Sequence, residues 1–303
     1  MVARWLRLGL ALEAAALLIA SVLLARALAW SAGAAVLFVF VGFFAINSVS
    51  FFVLYPIALY FRRRVAGIPR LGPLRVLRGI VREWLAFLAV FGVFQPFERW
   101  WMGEDGVGRV DSRPPPLLLV PGYVCNRGQW WWLRRCLRAR GFAVATVNLE
   151  PPFGGIDDFA EQLRSHIEAL LTETGAERVT LIAHSMGGLV ARAYLKRHGN
   201  ERVSRLITLG SPHRGTIIAH LGLGRDAQQM QPGSDWLRQL GEHETFAVPV
   251  LCLWAGLDAI VVPQDASRLP DVPDRVFAEL GHLALLLSHA VLQSLLAELE
   301  QPQ

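Results

Sequence analysis

The chain has 303 residues, of which 53% are apolar and only 18% charged, against about 45–50% and 25% in a typical soluble domain. That composition excludes disorder as the dominant state, and the length holds one catalytic-sized domain plus an additional region rather than two tandem enzymes. The net charge of +5 is uneven: 13 basic and 6 acidic side chains precede Pro114, and 17 and 19 follow it, so the basic excess lies beside the longest apolar runs and forms no stripe for nucleic acid.

Leu8 to Ala25 is an 18-residue apolar run broken only by Glu13, and Ala27 to Phe61 is free of charge for 35 residues. A helix crossing a bilayer core needs about 20. Residues 1–64 are therefore predicted to form a transmembrane helical hairpin. The alternative for the first run is a cleaved signal peptide, with Arg4 and Arg7 ahead of it and small residues near Ala27 to Ala29. Arg4 and Arg7 before the hairpin and Arg62, Arg63 and Arg64 after it predict that both ends are cytoplasmic. The expected location is thus a bacterial-type inner membrane, crossed more than once, with the catalytic domain facing the cytoplasm.

Residues 65–113 are expected to hold an interfacial helix or a third membrane helix, then a linker. Arg75, Arg78 and Arg82 share one helical face, and Trp84 to Phe97 adds 14 uncharged residues. That length is short for a span and fits a helix lying in the membrane plane, while a third crossing with snorkelling arginines would move the following domain to the opposite side. Gly103 to Pro116, rich in Gly, Asp, Arg and Pro, is read as the linker.

From residue 114 the pattern alternates. Strands are predicted at Leu117–Val120, Phe142–Val147, Val179–Ala183, Arg205–Leu209, Val248–Trp254 and Arg275–Glu279. Helices are predicted at Gln129–Arg140, Asp157–Thr174, Gly187–Arg197 and Leu283–Leu299. Strands that are continuous apolar runs separated by helices imply an α/β fold, a mostly parallel sheet flanked by helices, with its site at the carboxyl ends of the strands.

Ala183-His184-Ser185-Met186-Gly187-Gly188 stands between a predicted strand and a predicted helix, the setting of a nucleophile elbow. Small residues two before and two after Ser185 let strand and helix approach. The turn aims the Met186 N–H at a developing oxyanion. A serine needs a base, and the base needs a carboxylate to hold its tautomer. His282, just past the last strand, and Asp258, past the strand Val248–Trp254, stand at carboxyl strand ends. His184 is expected to point away from Ser185 and His289 to lie on the last helix, while His213 is the rival base. Tyr123, after Pro121-Gly122, is the expected second oxyanion donor. Trp130, Trp131 and Trp132 are adjacent in a helix and cannot all face one acyl pocket. Cys125, Cys136 and Cys252 have neither disulfide nor metal spacing, and Cys125 and Cys252 read as buried thiols.

These motifs, with Leu118-Leu119-Val120-Pro121-Gly122, Leu209-Gly210-Ser211-Pro212-His213-Arg214-Gly215-Thr216 and Gly256-Leu257-Asp258, resemble the α/β-hydrolase superfamily, and within it bacterial triacylglycerol lipases and small esterases, over roughly residues 115–297. The resemblance implies Ser185 as nucleophile, Asp258 as acid, His282 as base, Tyr123 and Met186 as oxyanion donors, and a structural His213. Two departures stand out. Pro121 replaces the usual histidine of the oxyanion loop, and Ala284 stands where many secreted lipases carry a calcium-binding aspartate. Only Ser211 to Pro249 is available for a cap. The expected protein is a membrane-anchored serine hydrolase of apolar acyl esters that needs neither cofactor nor metal. Its expected partners are a lipid or acyl ester and the bilayer, not nucleic acid; the alternatives are an acyltransferase or thioesterase with the same triad, or a non-catalytic membrane scaffold.

Overall fold

The computed structural model describes residues 1–108 and 114–301; part of the expected linker, and the boundary drawn at residue 113, lie outside these. In chain order the helices and strands are α1 Val2–Leu28, α2 Ala32–Arg62, α3 Pro73–Phe87, α4 Glu98–Met102, β1 Leu117–Val120, α5 Trp131–Arg138, β2 Val144–Thr146, α6 Ile156–Thr174, β3 Val179–His184, α7 Met186–His198, β4 Val203–Leu209, α8 Gly224–Gln229, α9 Asp235–Gly241, β5 Val250–Ala255, β6 Asp274–Phe277 and α10 His289–Leu299. The strands form one six-stranded parallel sheet in the order β2-β1-β3-β4-β5-β6.

Strand residues alternate between two cores, because successive side chains leave opposite faces of a sheet. Leu118, Val120, Leu181 and Ala183 pack with Phe159, Leu163 and Ile167 of α6 and with Leu189 and Val190 of α7. Leu117, Leu119, Ile182, Ile207 and Leu253 pack with Leu133 and Leu137 of α5 and Val291 and Leu295 of α10. Burial on both faces is why the strands read as unbroken apolar runs.

The N-terminal region is not a separate body. α1 and α2 form an antiparallel hairpin turned at Ala29 in the left-handed region, and the Ser31 hydroxyl caps α2 by accepting the Ala34 N–H. The far end of α2 reaches the sheet domain, where Tyr55 and Ala58 are buried with Ala259 and Val262 and the Gln264 amide donates to the Ala58 carbonyl at 3.0 Å.

α3 continues as a π-helical turn, Leu88–Phe94. Its Gly79, Glu83, Ala86 and Val90 stripe is buried against the domain. Arg75, Arg78 and Arg82 are exposed, as are Leu74, Leu77, Val81 and Leu85. The apolar run after Trp84 is thus partly covered by protein, with Leu85 and Val93 left exposed, and among the described residues only α1 and α2 are long and apolar enough to cross a membrane.

The described part of the linker is pinned to the domain. Asp105 pairs with Arg127 at 3.0 Å and Arg134 at 2.7 Å, and Glu173 accepts the Val107 and Gly108 N–H groups.

Candidate active site

The tight turn after β3 places Ser185 at φ 55°, ψ −128°, a conformation that costs a non-glycine residue of order 1–3 kcal/mol and persists only where its surroundings enforce it. The enforcement is visible in what two glycines exclude. A Cβ on Gly187 would lie 2.6 Å from the carbonyl oxygens of Val120 and Pro121, and one on Gly188 would lie 2.1 Å from Ser211 Oγ. Helix α7 therefore sits tight against the ends of β1 and β4, and the Ser185 N–H donates to Leu209 O at 2.9 Å.

His282 and Asp258 arrive from the loops after β6 and β5. His282 Nδ1–H donates to Asp258 Oδ2 at 2.8 Å, and Asp258 Oδ1 accepts the Ile260 and Val261 N–H groups, both at 2.8 Å. Both side chains are buried. Gly210, which follows Leu209, passes so close that a Cβ there would lie 3.2 Å from His282 Nδ1 and 3.4 Å from Asp258 Oδ2. The end of β4 thus touches the Ser185 turn and the His282–Asp258 pair together. Ser185 and His282 line one cavity of about 310 Å³, with no hydrogen bond joining the two in this state, an arrangement common before substrate binds. Burial alone would lower the His282 pKa, but the Asp258 carboxylate and then Glu83 outweigh it and raise it above the ordinary imidazole value.

Gly122 opens the loop after β1, and a Cβ there would lie 2.9 Å from Ser185 Cβ. Residues 122–125 form a turn closed by Cys125 N–H to Gly122 O at 3.2 Å, with Val124 at φ 50°. Tyr123 in this strained turn lines the same cavity as Ser185, while its hydroxyl bonds the backbone of Leu223. Met186 is the first residue of α7, where an N–H has no intrahelical acceptor.

The other candidate residues are placed around the cavity or away from it. The His184 ring packs 4.6 Å from that of His282 and borders the cavity. Burial and then the charge on His282 hold its pKa well below the ordinary value. His213 is buried with Nε2 on Thr208 Oγ1 at 3.0 Å and does not line the cavity. His289 is exposed at the start of α10, against Trp132. None of the three tryptophans lines the cavity: Trp130 is fully buried, and Trp131 stacks on Phe94. The apolar wall instead comes from Phe51, Leu54 and Tyr55 of α2 and from Phe87 and Phe91. Cys125 also borders the cavity, and burial pushes its thiol up to about 12, which keeps it protonated and poorly nucleophilic.

Sequence reasoning missed Glu83, whose buried carboxylate touches the residues around His282. Its signal was present: it is the one acidic residue between Glu13 and Glu98, set in an otherwise basic and apolar stretch.

Fold and site together define a chain of α/β-hydrolase fold with a serine, a histidine and an aspartate gathered at the carboxyl ends of its strands. Residues 115–231 match the family model described as alpha/beta hydrolase fold. Among curated proteins, the triacylglycerol lipases of Pseudarthrobacter phenanthrenivorans and Burkholderia plantarii are each 35% identical to this chain over 112 residues, covering 34% of it and 35% and 31% of theirs. The chain thus matches about a third of the length of these relatives. Among solved structures, the mature lipase BlEst2 of Bacillus licheniformis superposes with a TM-score of 0.56 at 18% identity, covering 64% of this chain and 96% of that one.

Proposed function

We propose that the protein is a membrane-anchored serine hydrolase that cleaves esters of apolar acyl groups through an acyl-enzyme. The observation that carries this reading is the Asp258–His282 pair at 2.8 Å, whose histidine lines one cavity with Ser185, itself held at φ 55°. Ser185 Oγ attacks the ester carbonyl carbon and passes its proton to His282 Nε2. Asp258 holds the proton on Nδ1 and stabilises the imidazolium that results. The Tyr123 and Met186 N–H groups receive the tetrahedral oxyanion. Collapse of that intermediate breaks the C–O bond, and the alcohol leaves with the proton from Nε2. Water then repeats the sequence on the acyl-serine, releasing the acid and restoring Ser185.

The lipase relatives and the aromatic and aliphatic wall of the cavity favour an apolar acyl group. The hairpin favours a lipid source. A bilayer core takes about 20 of the 31 residues of α2. That leaves its last turns, which carry Leu54 and Tyr55, to rise from the membrane to the cavity. Arginines at both open ends of the hairpin favour the cytoplasmic side for the domain.

The test is labelling of the full-length protein with a fluorophosphonate, paired with turnover of p-nitrophenyl esters of increasing chain length. Wild-type protein should label, Ser185→Ala should not, and medium or long chains should exceed acetate in kcat/KM. Equal labelling of both proteins would remove Ser185 from the chemistry.

A further inference from the structure

Glu83 belongs to α3, yet its carboxylate ends in the loop that carries His282. It is 5% exposed. Oε1 accepts the Leu283 N–H and Oε2 the Ala284 N–H, each at 2.8 Å, and a Cβ on Gly281 would lie 2.5 Å from Oε2. The residues on both sides of His282 are therefore fitted to one side chain. The two amides open the 3-10 turn Ala284–Leu287, where N–H groups lack internal acceptors. A carboxylate can accept from both at once, whereas a glutamine offers only one accepting oxygen.

A buried carboxylate is expensive unless something compensates its charge. Here burial pushes Glu83 up to about 7, against the two amide hydrogen bonds and the His282 charge that act to lower it. His282 is faced by Asp258 from the loop after β5, by Glu83 from α3 and by His184 from the end of β3, while Tyr55 and Cys125 line the same cavity. His184 brings no negative charge, so Asp258 and Glu83 are the two groups that do.

We propose that Glu83 is a positioning residue for His282: from a helix outside the sheet domain it fixes the backbone that follows the histidine and sets a second negative charge beside the imidazole. This rests on the reading of His282 as general base. Removing the charge lowers the affinity of the imidazole for a proton. Because the base works unprotonated, the acid limb of kcat/KM then moves to lower pH. Losing one of the two amide bonds loosens the loop, so kcat falls while binding at the acyl wall is little changed.

The test uses the full-length protein in detergent micelles with a short-chain p-nitrophenyl ester. Glu83→Gln is expected to lower kcat on the order of tenfold with KM within about twofold, and to shift the acid limb down by about one pH unit. Arg75→Ala, on the same helix as Glu83, which breaks the exposed pair of Arg75 with Glu279 of the loop after β6 at 2.8 Å, should keep the wild-type rate and midpoint. A Glu83→Gln enzyme with the wild-type midpoint overturns the proposal, even if its thermal stability drops, because a purely structural role would not move the titration. Should Glu83→Gln fail to fold, Gly281→Ala carries the test, since its methyl displaces Oε2 from the other side, and the same shift or its absence decides. Ser185→Ala, run in parallel, separates the two readings. If it retains turnover, the hydrolase reading has failed; if it is dead while Glu83→Gln behaves as wild type, only the role of Glu83 has failed.

Discussion

Asp258 uses both oxygens, one on the imidazole and one on two backbone amides, so its substitution separates position from charge. In Asp258→Asn the amide oxygen can keep the backbone bonds, but the NH2 then faces His282 Nδ1 and imposes the tautomer with the proton on Nε2. That form cannot take the serine proton. A fall in kcat of about 10⁴ is expected, by analogy with triads of this type, with labelling slowed in proportion and the denaturation midpoint nearly unchanged. The raised pKa of His282 gives the pH sign. Turnover should climb with pH through a midpoint above the ordinary 6.5, measured as the acid limb of kcat/KM. Stability runs the other way. The protonated imidazole favours the folded state fully below about 6.5, and that contribution is lost as pH rises through the raised folded value. An optimum for folding on the acid side of the optimum for activity is therefore the expected pattern in parallel urea and rate titrations.

At the scale of elements, the turn around Ser185 depends on two missing side chains. Gly188→Ala places a methyl against Ser211 Oγ, and Gly187→Ala places one against two carbonyl oxygens of β1 and the residue after it. Gly187→Ala should be the worse of the two, since backbone cannot rotate away as a hydroxyl can. Losses of about 1–3 kcal/mol are expected from urea denaturation, with activity falling further than stability, because the displaced turn carries both Ser185 and the Met186 amide. These elements were legible in the sequence: β1, β3, β4 and β5 are buried on both faces and announce themselves as apolar runs, and Gly141 and Gly175 follow the ends of the helices before them. The edge strand β2 is shorter than expected, Val144–Thr146 rather than Phe142–Val147, because it has a partner on one side only. The last helix is broken at Ser288, whose extended backbone at φ −102°, ψ 123° separates the 3-10 turn Ala284–Leu287 from α10, and no local pattern records that. The apolar wall of the cavity was illegible for a related reason. Hydrophobicity marks Phe51, Phe87 and Phe91 as needing an apolar neighbour but does not say whether lipid, a core or a substrate supplies it.

Across the whole molecule, the hairpin and the sheet domain are joined where Tyr55 and Ala58 meet Ala259 and Val262, so whatever fixes the hairpin fixes the cavity mouth. At 1.5 Å per residue, α1 and α2 are about 40 and 46 Å long, longer than the roughly 30 Å core of a bilayer. They expose Leu12, Leu18, Ile19, Leu23, Leu37, Phe40, Val41 and Phe52 to their surroundings. The one carboxylate within the pair, Glu13, is met across the hairpin by the Asn47 amide at 2.9 Å, the pairing a polar group would need if the hairpin crosses hydrocarbon. Such a surface predicts that the full-length chain stays with the membrane through alkaline carbonate and high salt and leaves it only in detergent; release by carbonate would mean that the hairpin is covered by protein instead. Arginines cluster at the two open ends, with only Arg26 near the turn, so a reporter inserted beside Ser31 should respond as periplasmic and one fused after residue 303 as cytoplasmic. If both reporters answered from the same side, the hairpin would lie along the surface rather than cross. The aromatic wall that α2 lends to the cavity would then be presented at the membrane surface, not at the end of a buried helix.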